Sequence, residues 1–113
     1  MALACLIYRL TSTFPRSEVF GLVSQMRRCA VSIPSNIVEG QGRVTDRNFA
    51  QFLGQARGSL NELATQVELA SRLEYLSEAD AGNMLEEMEI LSRMLNALLK
   101  SVLSGDHRGA SVS

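Results

Sequence analysis

Apolar residues recur every three to four positions along nearly the whole chain, and no stretch alternates with the period of two that a half-buried strand requires. Leu3, Leu6, Ile7, Leu10 and Phe14 form a first helical stripe, which Pro15 ends because the residue before a proline avoids the α region. Ser17 is placed to cap a second helix. Its inner face reads Val19, Leu22, Met26, Cys29 and Ile33, and its outer face Gln25, Arg28, Ser32, Ser35 and Glu39. The third seam runs Phe49, Leu53, Ala56, Leu60, Leu63, Val67 and Ala70 in a heptad rhythm. The fourth runs Met84, Met88, Leu91, Leu95, Leu98 and Val102. The pattern predicts helices over about 2–14, 17–40, 45–74 and 77–104, with a flexible C-terminal tail over 105–113.

Glycine, proline and hydroxyl residues set the boundaries. Pro34 lies inside the second helix, where a missing amide and a ring clash predict a bend near Ala30, with Ser32 and Ser35 available to the loosened backbone. Gly40 should stop that helix as a left-handed cap, and Gly42 should keep the connection short. Thr45 or Asp46 begins the third helix, Ser77 with Asp80 approximates a capping box for the fourth, and Gly105 terminates it. Gly54 and Gly58, one turn apart, each cost a helix interior about 0.8–1 kcal/mol relative to alanine, so close approach of another helix backbone is expected there. The fold class that follows is all-α: one domain over 1–104, an antiparallel up-down four-helix bundle with a proline-bent second helix.

The two later helices, at 1.5 Å per residue, should each be roughly 40 Å long. The first is about half that length and leaves apolar surface over, as does a second stripe of Ile90, Met94 and Ala97 beside the fourth seam. Exposed patches of this kind point to self-association. Composition adds a charge split. The net charge of −1 over 113 residues divides into about +4 up to Leu60 and −5 beyond it, which means either complementary helices or one basic face. Two cysteines, Cys5 and Cys29, without metal or redox spacing, fit a reduced, cytoplasmic protein. No run is long and uncharged enough to span a bilayer, and the apolar start lacks a basic segment ahead of it.

The search for chemistry yields no active site and no cofactor site. The sole histidine, His107, sits beside Asp106 in the tail, so a bundle metal site built from Glu-x-x-His pairs cannot be assembled. There is no nucleophile elbow, phosphate loop or dinucleotide fingerprint, and no small-molecule substrate is implied. Ten of the eleven basic residues are arginine, the better fork for phosphate or carboxylate. Arg27, Arg28, Arg43, Arg47 and Arg57 fall on or near the segment around Pro34 and the helix after it. They could position an RNA backbone or form inter-subunit salt bridges with the acidic half; a stacking platform of aromatics for bases is not visible.

The segment Ser32-Ile-Pro-Ser-Asn-Ile-Val-Glu-Gly-Gln-Gly-Arg43, followed by Phe49 and then Phe52-Leu53-Gly54-Gln55-Ala56-Arg57-Gly58-Ser59-Leu60-Asn61-Glu62-Leu63, closely resembles the four-helix bundle family of proteins encoded in intervening sequences of 23S ribosomal RNA genes. Thr65-Gln66 and the Leu73-Glu74-Tyr75-Leu76 exit fit as well, and the likeness extends from Tyr8 to Leu103. The resemblance implies a non-enzymatic homo-oligomer, a homopentameric ring of bundles. It also implies a relation to the nucleic-acid-binding accessory proteins of diversity-generating retroelements, so RNA is the alternative partner. It marks Pro34, Asn36, Glu39, Gly40, Gly42, Gly54 and Gly58 as motif positions that shape the helices. Two departures are a longer, basic, Trp-containing lead-in usual in the family and Gln41 where an aromatic or small residue is common.

Overall fold

A computed structural model of the chain describes residues 2–43 and 45–105. Four α-helices, α1 (Ala2–Thr11), α2 (Ser24–Gln41), α3 (Asp46–Arg72) and α4 (Glu78–Ser104), are joined by short connections. A 3-10 turn (Arg16–Glu18) and one wide π turn (Val19–Val23) lie between α1 and α2. Contacts between the helices accord with the antiparallel order. Arg27 meets Tyr8 and Thr11, Ser32 meets Ser59, and Arg57 meets Asn96. The core runs between the helices through Ile7, Met26, Ile33, Leu53, Leu60, Leu63, Val67, Met84 and Val102, all essentially sealed from solvent. The periodicities in the sequence dictate this line, because each seam presents one face every 3.6 residues.

The helix starts follow the capping chemistry. Thr45 Oγ1 accepts from the Asn48 amide at 3.2 Å and Ser77 Oγ from the Asp80 amide at 3.0 Å. Each satisfies an amide that α3 or α4 would otherwise leave orphaned. Gly105 closes α4 in the left-handed conformation, φ 78°. At the end of α3 the same conformation falls to Glu74, φ 63°, where Tyr75 N bonds Ala70 O at 2.9 Å. Asp106, His107 and the rest of the tail lie outside the described residues.

The second helix departs most from the expected pattern. Ser17 caps nothing; Glu18 does so instead, its Oε1 accepting from Leu22 N while Oε2 accepts from the Tyr75 hydroxyl at 2.9 Å. A carboxylate one turn back reaches the amide that Ser17 is too short and too early to meet. Gly21 leaves the helical region (φ −104°, ψ −108°), so the heptad count from Val19 does not carry across it. Leu22, Met26, Cys29 and Ile33 are buried as expected, but Val19 is exposed and Phe20 is 96% exposed. In α1 the buried line is Ala4, Ile7 and Thr11, with Leu3, Leu6 and Leu10 on its flanks.

Pro34 sits within α2, which continues through it to Gln41. Ser32 and Ser35 do not service the backbone. Ser32 Oγ pairs with Ser59 across the helix interface, and Asn36 Nδ2 donates to the Ser32 carbonyl at 2.8 Å. Gly40 is not the cap either. Gly42 holds that place with an ordinary φ of −80°, while Gly40 is buried where α2 presses on α3. A Cβ added at Gly40 would lie 2.9 Å from both Phe49 Cδ1 and Phe52 Cβ. The close approach expected at Gly54 and Gly58 occurs here; a Cβ added at either of those two glycines would meet no other part of the fold within 4 Å.

Candidate subunit and nucleic-acid contact surface

The five arginines singled out by sequence do not converge on one face. Arg27 turns toward α1, where its Nε donates to Thr11 Oγ1 at 3.0 Å and its Nη2 to the Tyr8 carbonyl at 3.2 Å. The guanidinium also stacks 4.6 Å from the Tyr8 ring centroid. Three contacts to α1 make it a strut. Arg43 bonds Glu39 one turn back at 2.7 Å and lies 4.7 Å over the Phe52 ring, tying the end of α2 to α3. Arg57 Nη1 donates to Asn96 Oδ1 at 3.3 Å and so faces α4. Arg28 lines a polar cleft between α2 and α3, and Arg47 is exposed on the first turn of α3. Of the group only Arg43 and Arg47 share one end of the bundle.

Among the described residues no ion pair joins the basic first half to the acidic second half. Among the described residues the ion pairs Arg43–Glu39 and Arg93–Glu89 are each one turn apart on a single exposed helix face. Such pairs contribute about 0.3–0.5 kcal/mol. No first-half arginine reaches a second-half carboxylate among the described residues.

The cleft beside Arg28 has a volume of about 310 Å³ and is lined by Gln25, Arg28, Cys29, Ser32, Ser59 and Glu62. Cys29 is buried, and its thiol pKa is raised first by that burial and then by the Glu62 charge, against weaker opposing effects of Gln66 and Arg28. A thiol held protonated is a poor nucleophile. Among the described residues no three His, Cys, Asp or Glu side chains are grouped to hold a metal ion, and no helix is long and apolar enough to cross a membrane.

Apolar surface is the more pronounced feature. Ile90, Met94 and Leu103 on α4 and Val31 and Val38 on α2 are all exposed large side chains, Met94 by 63% and Val38 by 67%. Beside Ala4 of α1, an apolar groove of about 440 Å³ opens along α2, lined by Ala4, Val31, Pro34, Ser35, Val38 and Glu39. A proline in mid-helix helps shape it, since its ring replaces an amide on that wall. Sequence pattern missed a separate exposed side chain, Phe20, because Phe20 reads as one more apolar residue near a stripe. The neighbouring Gly21 was the available signal that the stripe breaks there.

Comparison with known proteins agrees with this architecture. The family model described as 23S rRNA-intervening sequence protein matches residues 1–97. A crystal structure of a protein with unknown function from the S23 ribosomal protein family of Bacteroides thetaiotaomicron is similar to the chain, with a TM-score of 0.79 at 22% identity. The match covers 88% of this chain and 93% of that one. No curated protein matches.

Proposed function

The chain belongs to the 23S rRNA-intervening sequence protein family, and from that premise we propose that it acts as a non-enzymatic scaffold whose protomers assemble into a ring, a homopentamer. The observation that carries this reading is the exposed apolar surface of Val31, Val38, Ile90, Met94 and Leu103 on a single protomer. Burying a side chain of this size is worth about 1.5–3 kcal/mol, and a second copy offers the same surface in return. The charge split supports the reading as well, because the two halves form no ion pair with each other among the described residues and can pair between protomers. Cys29, kept as the thiol in its cleft, gives no support to nucleophilic chemistry.

Light scattering coupled to size-exclusion chromatography tests the scaffold. The expected mass at micromolar concentration is that of five 12.4 kDa chains; a single-chain mass overturns the proposal. A second reading, an accessory protein that binds RNA, draws on the family's name and on Arg28 and Arg47, whose side chains make no hydrogen bond or ion pair among the described residues. It predicts binding to structured RNA that weakens steeply with salt, as each phosphate contact releases counterions. Salt-insensitive binding, or none, removes it.

A further inference from the structure

Helix α4 carries a second stripe that the bundle does not cover. Glu87, Ile90, Met94, Ala97 and Ser101 follow one another at intervals of three and four, so they lie in one line along the helix. The buried line through Met84, Met88, Leu95 and Val102 runs about a third of a turn away at 3.6 residues per turn. Ile90 is 51% exposed, Met94 63%, and Ala97 is exposed between them and Ser101. These three form the apolar middle of an uncovered coiled-coil seam with polar residues at both ends. Beside the seam run Glu86, Arg93 and Lys100, seven residues apart, at the flanking positions where coiled-coil partners exchange charge. Arg93 is held by Glu89 of its own helix at 2.9 Å. Glu86 and Lys100 are exposed and make no hydrogen bond or ion pair among the described residues.

We propose that α4 pairs antiparallel with α4 of a second copy of this chain, the Ile90, Met94 and Ala97 side chains of each covering those of the other. The arrangement of charge names the occupant. Glu86 and Lys100 lie seven residues to either side of Arg93, and the apolar trio is centred on the same turn. A two-fold axis through that turn lays apolar on apolar and sets each Glu86 against the other copy's Lys100, at two places. Arg93, nearest the axis, brings its own counter-charge in Glu89. A parallel pairing would align Glu86 with Glu86 and Lys100 with Lys100, and would set the two helix dipoles side by side in the same sense. The antiparallel contact is isologous and closes at two chains. It is therefore separate from the ring contact, which falls to other surfaces such as Val31 and Val38, and it joins one assembly to another. With three apolar side chains from each copy it is small and hence weak, so it forms above the micromolar concentrations at which the ring is expected.

Light scattering followed from micromolar to millimolar concentration tests this pairing. The mass of the unaltered protein should double as concentration rises, whatever its starting value. Met94→Glu, at an exposed position where helicity by circular dichroism should be unchanged, should keep the undoubled mass throughout. Glu86→Lys and Lys100→Glu each bring like charges together at both symmetry-related places and should weaken doubling roughly tenfold. The double variant Glu86→Lys/Lys100→Glu restores opposite charges and should regain most of that loss. A mass that never doubles, doubling that survives Met94→Glu, or a double variant that pairs no better than the single ones overturns the proposal. The undoubled mass reports on the ring separately. Five chains that never double keep the ring and remove this contact, whereas one chain that doubles to two does the reverse.

Discussion

Substituting Gly40 by alanine sets a helix preference against a packing limit. Alanine is the better helix former by about 0.8–1 kcal/mol, so on propensity alone α2 should gain. The structure opposes this. The new methyl would sit 2.9 Å from Phe49 Cδ1, 2.9 Å from Phe52 Cβ and 3.4 Å from Phe49 Cε1, against an ordinary carbon–carbon separation of roughly 3.5–4.0 Å. Phe49 can rotate, but Phe52 Cβ is fixed to the α3 backbone. The two helices must therefore part by roughly half an ångström along the tightest stretch of their interface. Overpacking of this kind costs about 1–3 kcal/mol, which after the helix preference leaves a net loss of up to about 2 kcal/mol. At about 4–8 °C per kcal/mol for a domain of this size, the melting temperature should fall by up to roughly 15 °C. The control is Gly58→Ala, where nothing lies within 4 Å and the propensity gain should appear as a rise of roughly 4–8 °C. Both are read by circular dichroism during heating, at one protein concentration so that assembly contributes equally. If Gly40→Ala melts at or above the unaltered protein, the contact of α2 with α3 is looser than described.

Arg27→Lys should lower stability to urea by about 1–2 kcal/mol, because an ammonium cannot keep the Thr11 and Tyr8 bonds and the ring stack together; an unchanged midpoint would deny Arg27 its strut role. Glu74→Gly should stabilise by about 1 kcal/mol, since glycine occupies φ 63° without the Cβ penalty, and a lower melting temperature would refute that. The hydrogen bond to Glu18, then burial, then the Glu18 charge raise the Tyr75 pKa above 10.0. Its contribution to stability is therefore complete below pH 10 and is lost as pH rises through the raised native value; Tyr75→Phe should remove that alkaline loss, and an identical pH profile would exclude the bond. Under native conditions iodoacetamide should modify exposed Cys5 quickly and Cys29 slowly, so equal rates would contradict the burial of Cys29.

Legibility from the sequence follows the range of the governing interaction. The α3 seam and the starts at Thr45 and Ser77 depend on residues within one or two turns, and they could be read directly. So could Gly105, whose role is set by its own backbone. Gly40 could not, because helix ending and helix crowding both favour glycine and only the position of Phe52 on another helix separates them. Gly54 and Gly58 failed for the converse reason: the same composition carries no crowding in the protomer. Arg27 looked like one of five similar cations, yet Tyr8 and Thr11, sixteen or more residues away, engage it in holding α1 to α2. The candidate surface was legible as an amount of apolar area, but not as a shape.

The wide turn at Val19–Val23 also fixes how this protein can change over generations. An extra residue accommodated in one turn puts the positions upstream out of phase with those downstream, so the loss of a single codon there would swing Phe20 through about 100° about the axis at 3.6 residues per turn. The side chain would leave the outside without any substitution having occurred. Lineages that shorten this turn would keep the bundle and lose the outward-facing Phe20 ring, so length here is as informative as residue identity.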